Sequence, residues 1–494
     1  MRLNLRNPAL AISLLLCLAV CLAVPRELSA QHTVRYRLIE LTLGGPISHE
    51  PTDENGGRAL DNAGVVSSYA DTTLPDPFAP FCFEEDCLVA HTFRWRHGRM
   101  TDLGSLVDGV TSSAASLNDR GWTIGASETG IIDPNGSPQF HATLWTEKRI
   151  IDLGVVPGGS DSLGVTINNA GQAVGISNNG VDDPFSPFGV QVKTFLWEKG
   201  NLRDIGTLGG PDAQPGPGCD NQRSEIIVGA SYTSFTPNET TGIPTQDPFL
   251  WDNGKMTDLG TLGGSAGFAQ CANNRLQVIG TSSLAMHPAA CLTGEAGCHA
   301  YLWQRGAMND LGTLGGDNSE ALWINDAGEI AGSADLSETG LHHAVRWKEG
   351  QILDLGTLSG DPCSRSKAIN ARGQIVGLSS DCSNPLRAFL WEEGGPMIDL
   401  NTVIPQGSGL QLTFAFNIND RGEILAKSDL GHVVLLVPCD EGRGDCVSEL
   451  AAPGLSIFPF SRTGVEQQLT TRDAMRVWRE RFTAWQAKIG AETR

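Results

Sequence analysis

From residue 36 to residue 437 the chain is a succession of short apolar runs, rich in Leu, Ile, Val, Phe and Trp, each stopped by Gly, Asn or Asp. Runs of this length between turn residues are the pattern of strands. No segment between 33 and 437 sustains a helical period. The runs also recur in fixed order. His299-Ala300-Tyr301-Leu302-Trp303 leads through Gly306 to Asp310-Leu311-Gly312-Thr313-Leu314-Gly315-Gly316. Ile324-Asn325-Asp326-Ala327-Gly328 and then Glu329-Ile330-Ala331-Gly332-Ser333 follow. The Asp-Leu-Gly element starts at Asp102, Asp152, Asp204, Asp258, Asp310 and Asp354, at spacings of 50, 52, 54, 52 and 44 residues. Weaker copies begin at Asp399 and span Glu40 to Gly45. The tryptophan element ends at Trp95, Trp145, Trp197, Trp251, Trp303, Trp347 and Trp391, and its last copy, His432 to Val437, lacks the Trp.

Each unit thus holds four runs: a (the tryptophan run), b (the Asp-Leu-Gly run), c (ending in Ile-Asn) and d (Ile-Val-Gly-x-Ser). Four strands in about 45–50 residues, repeated, predict an all-β β-propeller. A solenoid is the alternative, but it would not need matching ends, and these ends match. Val34 to Leu43 is a run b with no a before it, and His432 to Val437 is a run a with no b after it. Paired, they complete one blade, so eight four-stranded blades are expected, closed by the N- and C-terminal strands. The repeated Trp side chains are expected to pack between blades.

Meander geometry sorts the loops. The a–b turns, such as Glu198-Lys199-Gly200, are short. So are the c–d turns, which carry Asn-x-x-Gly at Asn118–Gly121, Asn168–Gly171, Asn325–Gly328, Asn370–Gly373 and Asn419–Gly422. The turn is shortened at Asn62–Gly64, and its glycine is lost in the units at 221–229 and 271–280. The b–c and d–a connections lie on the other face and vary in length, with d–a loops expected at 71–90, 128–140, 178–193, 232–246 and 283–298. Variable loops on a rigid scaffold are where binding concentrates.

The flanks read differently. Arg2 and Arg6 precede an apolar stretch from Ala9 to Val24 and small residues ending at Ala30, so 1–30 is expected to be a secretory signal peptide cleaved near Ala30–Gln31. Leu18-Ala19-Val20-Cys21 loosely resembles a lipoprotein box, with Val before the Cys a poor fit. The propeller is assigned 31–438 and a linker tail 439–469. A helix is assigned to 470–494, with Met475, Trp478, Phe482 and Trp485 on one face at helical spacing and docking on the disc as its expected duty.

Composition narrows the function. The net charge of −21 argues against nucleic acid as a partner, because phosphate binding needs clustered Lys and Arg. The ten cysteines after the leader are an even number in an exported chain, which implies disulfides. The expected pairs are Cys82–Cys87, Cys219–Cys271, Cys291–Cys298, Cys363–Cys382 and Cys439–Cys446, the first eight cysteines all falling on the long-loop face. Metal binding is the alternative, but no Cys-x-x-Cys spacing occurs.

These recurring phrases resemble the bacterial extracellular HAF-repeat family, named for its His-Ala-Phe tripeptide, over roughly residues 36–437. Thr194, Pro248 and Arg387 depart from it. The resemblance implies an exported repeat protein of the propeller type and no particular activity.

The candidate chemistry is thin. The repeated aspartates and the histidines His91, His141, His299, His343 and His432 recur blade by blade, whereas an active site needs one asymmetric set. They are expected to accept turn or cross-strand hydrogen bonds. The Asn-Asp-Ala-Gly turn is similar to the Asp-box turn of sialidase-type propellers, but a tyrosine nucleophile within an arginine cluster is missing. Only Tyr36, Tyr69, Tyr232 and Tyr301 exist. Two loop phrases stand out, Asp76-Pro77-Phe78-Ala79-Pro80-Phe81 and Asp183-Pro184-Phe185-Ser186-Pro187-Phe188. Their Phe78, Phe81, Phe185 and Phe188 form either a packed, Pro-braced pair or an aromatic ledge for a glycan or peptide. No cofactor is expected. Glu84-Glu85-Asp86 and Asp182-Asp183 offer carboxylates for Ca²⁺ but no spaced ligand loop. The expected function is a monomeric, exported, non-catalytic binding scaffold for an extracellular glycan or protein. The alternative is a carbohydrate-active hydrolase or lyase, which would show an unrepeated acid/base set near the central channel.

Overall fold

The computed structural model describes residues 35–446 apart from 52–56, 80–81, 85, 134–137, 187, 220–225, 294, 338–339, 406 and 440–445. The expected leader 1–30, most of the linker and the helix 470–494 lie outside the described residues.

The described chain is a β-propeller. One unit serves for all: Ser112–Leu117 (c), Thr123–Ile132 (d), Pro138–Trp145 (a) and Ile150–Asp152 (b) form an antiparallel meander. Six sheets of this kind have four strands, and a seventh has eight. The larger one divides into two such meanders, Ala213–Pro215 through Lys255–Asp258 and Gly263–Ala272 through Ala307–Asp310, joined by one parallel bridge between Gln246 and Ala266. Strands c touch one another around the ring and are buried, while strands b are the exposed outer edge.

The repeat phrases have local causes. Strand c bulges at one recurring place, for example between Ala114 and Ser116, Gly164 and Thr166, and Ala321 and Trp323. The bulge leans a carbonyl over strand d. A Cβ at Gly125, Gly175, Gly280, Gly332 or Gly377 would sit 1.9–2.1 Å from that oxygen. The glycine of Ile-Val-Gly-x-Ser is therefore a close-approach residue. The following serine, as in Ser127, Ser177, Ser231 and Ser379, accepts an N–H from the preceding b–c connection at 2.9–3.1 Å. In strand c, Ser112, Ser162 and Ser364 donate to the Asp-Leu-Gly glycine carbonyls of the unit before, at 2.6–2.8 Å. The a–b turns place two residues at positive φ, as in Lys199-Gly200 (50° and 89°) and Arg305-Gly306 (53° and 84°), the tight hairpin geometry that matches strand twist.

The terminal strands pair as expected. Arg35–Leu41 runs antiparallel to Val433–Cys439, from Arg35 opposite Cys439 to Leu41 opposite Val433. The sheet they complete packs on the first full unit through Leu425, Val433 and Leu435 against Leu60, Val66 and Phe93. Six of the seven repeat tryptophans are buried, and the indoles of Trp145 and Trp347, each at 1% exposure, donate to Gly104 O and Leu311 O of the preceding unit. Trp303 is only half-buried.

Three findings differ from the sequence reading. Strands d run further than expected, to Pro75, Ile132 and Asp182, so the d–a loops shrink to 76–87, 133–137 and 183–189. A register shift near the end of each lets strands d and a resume pairing. A short helix, Ala290–Thr293, sits in the d–a connection 285–297. Cys219 and Cys271 are not on the long-loop face. The b–c connection before Gly263–Ala272 is only four residues, and a ten-residue strand carries Cys271 to the opposite end of the blade, where it is fully buried.

Candidate functional site

The repeated polar residues are accounted for by local bonds. The Asp side chains at 102, 152, 204, 258, 310 and 354 each accept the N–H of the glycine two residues on, at 2.7–2.8 Å. Those glycines sit at φ of 67–85°. Four of the aspartates also meet the strand-a histidine: His91–Asp102, His141–Asp152, His299–Asp310 and His343–Asp354, at 2.8–2.9 Å. Where His is lost, Arg387 meets Asp399 at 3.2 Å, and across the closing strands His432 meets Glu40. The bond to Asp152 holds His141 above its ordinary pKa. Burial pushes Asp152 up, but His141 and the Gly154 N–H outweigh it and hold the carboxyl below its usual range. Two further units break the pattern. Lys193 stands opposite Ser177, and Asp247 opposite Ser231, where His141 stands opposite Ser127, and burial together with Asp258 pushes Asp247 up to about 7.

The asparagine turns form a belt. Each Asn side-chain oxygen caps its own turn, and five of the six donate from Nδ2 to the carbonyl of the equivalent residue one unit on. Asn118 reaches Asn168, Asn273 reaches Asn325, Asn325 reaches Asn370, Asn370 reaches Asn419, and Asn419 reaches Asp61, at 2.9–3.0 Å. The last of these joins the final unit to the first. The Cys219–Cys271 disulfide ties the segment just after strand Ala213–Pro215 to strand c of the next unit, in the arc between Asn168 and Asn273. The short-turn face is thus committed to holding the ring.

The long-loop face is where unrepeated residues collect. The two Pro-Phe loops are each turned by a buried aspartate: Asp76 Oδ1 accepts the Phe78 N–H at 2.8 Å, and Asp183 Oδ1 accepts the Phe185 N–H at 2.9 Å. Phe188 donates its N–H to Ser186 Oγ at 3.3 Å. Phe78, Phe185 and Phe188 are half-buried, neither sealed in the core nor standing clear. Phe81 lies outside the described residues. Asp183 faces Asp212 across the blade joint. Burial, with Asp183 adding to it and the Val192 N–H opposing it, pushes Asp212 up to about 7. Glu128, buried and facing Asp76, is pushed up to about 8 against the pull of the Thr111 N–H.

One unrepeated constellation escaped the sequence reading. His49 Nε2 lies 2.9 Å from the fully buried Asp71, its ring stacks on Tyr69 at 4.6 Å, and its Nδ1 lies 3.8 Å from Glu84 in the Cys82–Cys87 loop. Burial lowers the His49 pKa, but Asp71 and Glu84 more than reverse it, and the net shift is upward. The residues lie 22 and 35 positions from His49 with no periodic cue, so only the fold brings them together.

All five expected disulfides are formed, with Cα–Cα distances of 4.9–5.4 Å. Cys82–Cys87, Cys291–Cys298 and Cys363–Cys382 brace the long-loop face, and such bonds belong to an oxidising compartment. Among the described residues no group of three or more His, Cys, Asp or Glu is arranged to hold a metal ion, and no helix is long and apolar enough to cross a membrane.

No family model and no curated protein matches the chain. Among solved structures it is similar to an acylaminoacyl peptidase from Pyrococcus horikoshii, at 9% identity and a TM-score of 0.39, over 64% of this chain and 49% of that one. It thus spans about half the length of that peptidase. It is also similar to the β-propeller domain of the Trilobed protease from Pyrococcus furiosus, at 7% identity and a TM-score of 0.38, over 64% and 91% of the two chains. The C-terminal WD40 domain of Sif2 is similar at 13% identity and a TM-score of 0.38, over 82% and 97%.

Proposed function

We propose that this chain is an exported, non-catalytic binding scaffold of the HAF-repeat type, an eight-bladed ring that presents a ligand surface on its long-loop face. The observation that carries this reading is the division of labour between the two faces. Histidines, aspartates and asparagines that recur from unit to unit are consumed by local and inter-unit bonds, while the unrepeated aromatics, buried carboxyls and three cystine braces gather on the opposite side. Cystine-braced loops lower the ordering cost of binding. The test is a screen of the exported protein against extracellular glycans and cell-envelope extracts, repeated with Phe185 and Phe188 changed to Ala. Loss of binding in that variant, without any hydrolysis, supports the reading. Measurable turnover, or binding lost only on altering the Asn-x-x-Gly turns, overturns it.

A carbohydrate-active hydrolase or lyase is the second reading, and His49–Asp71 is the one pair that favours it. Its geometry argues the other way. Both ring nitrogens of His49 are turned to carboxylates, so neither is aimed at a substrate proton. His49→Gln leaving a measured turnover unchanged would remove the pair from any catalytic role.

A further inference from the structure

The charge of the molecule is segregated by face. The b–c connections (42–47, 105–111, 153–161, 205–212, 259–262, 311–314, 355–362 and 400–411) contain no Lys or Arg. Neither do the d–a connections (76–87, 133–137, 183–189, 233–245, 285–297, 337–341, 381–386 and 429–432). Asp and Glu recur through both sets, as at Asp86, Asp108, Asp133, Glu239, Glu295 and Asp381. The turns of the other face mix both signs, with Arg120, Arg149, Lys199, Arg275, Arg305 and Arg372 among their acids. Basic residues at strand ends beneath the acidic face are already engaged. Lys193 donates to Pro211 O, Arg387 pairs with Asp361 at 2.8 Å, and Lys427 pairs with Glu50.

The same face carries exposed apolar side chains. The extended d tips hold out Leu74, Ile131 and Val181, at 50%, 55% and 50% exposure. Phe235 and Met286, in the next two d–a connections, reach 62% and 84%. Large apolar groups on consecutive projecting hairpins, set in a field of one sign, are not explained by solubility or packing.

We propose that the long-loop face docks a cationic polypeptide segment carrying apolar side chains between its Lys and Arg residues, which rests on the reading that this face is the binding face. Charge complementarity selects and steers the partner, and the apolar tips supply contact that a purely polar polycation could not use. A neutral glycan would make no use of the charge, and an anionic partner would be repelled by it.

Fluorescence anisotropy with three labelled peptides of equal length tests this: alternating Lys-Leu, alternating Lys-Ser and alternating Glu-Leu. Protein variants are the tip triple Leu74→Ser/Ile131→Ser/Val181→Ser and the rim control Ile150→Ser/Leu353→Ser, all at exposed positions. The expected result is binding of Lys-Leu alone at physiological salt, weakened about tenfold or more in the tip variant, unchanged in the rim variant, and weakened by added salt. Equal binding of Lys-Ser or Glu-Leu, no Lys-Leu binding, or indifference to the tip variant overturns the proposal. If Lys-Leu fails while a neutral glycan binds and depends on Phe185 and Phe188, only the partner chemistry is wrong. If binding tracks the short turns instead, the assignment of the face itself fails.

Discussion

At the scale of single residues the molecule separates groups that hold it together from groups that strain it. Trp145 belongs to the first kind, fully buried with its indole N–H on Gly104 O. Trp145→Ala is expected to cost about 3–5 kcal/mol in chemical denaturation, and the half-buried Trp303→Ala clearly less. Glu128 belongs to the second. Its carboxyl titrates near 4.5 when unfolded and near 8 when folded. A folded pKa raised this way means its contribution is fully present below about pH 4.5 and is lost as pH rises through 8. Stability should therefore fall across that window, by at most about 4–5 kcal/mol from this group. Asp212 and Asp247, each near 7 when folded, add slope in the same direction. Glu128→Gln keeps an acceptor for the Thr111 N–H and should flatten the profile. Denaturation midpoints at pH 5 and pH 8 that move equally in both proteins would contradict this.

At the scale of elements, the turns do more than reverse the chain. Asn370 accepts two N–H groups of its own turn and donates to Asn419 O of the next unit. Asn370→Ala should cost about 2–4 kcal/mol, at roughly 1 kcal/mol per bond lost, whereas Ala at exposed Arg372 should cost little. Thermal melts of the two variants decide it. These turns were legible in sequence because Asn and Gly have few other reasons to recur at fixed spacing, but the amide link between units was not, since it joins residues 45–52 positions apart, and 358 apart where the last unit meets the first. The d tips were hidden for a different reason. Thr129-Gly130 and Asn179-Gly180 read as loop, and they remain strand only because pairing restarts after a bulge. The exposed apolar residues of the tips are therefore not legible in the sequence, where the Pro-Phe loops stand out instead. His49, Asp71 and Glu84 carried no signal at all, because no pattern links a two-residue strand and the middle of its neighbour to a connecting loop.

At the scale of the whole molecule, the closing sheet decides cooperativity. Removing 433–439 would leave Arg35–Leu41 without its ladder and expose Leu60, Val66 and Phe93 of the first unit. The expected outcome is loss of a single cooperative unfolding transition, seen by tryptophan fluorescence against denaturant. A sharp transition in the truncated chain would refute it. The closure was readable from the two unmatched ends, whereas the opposite placement of Cys219–Cys271 was not, because strand length is set by pairing rather than by composition. The same closure also sets a clock. Arg35 leaves the ribosome roughly 400 residues before its partner, an interval of roughly 20–80 s at ordinary synthesis rates of about 5–20 residues per second. Throughout it the oldest strand is an open edge able to recruit a wrong neighbour. The yield of folded protein then depends on keeping that first strand from a wrong partner as well as on the stability of the finished ring.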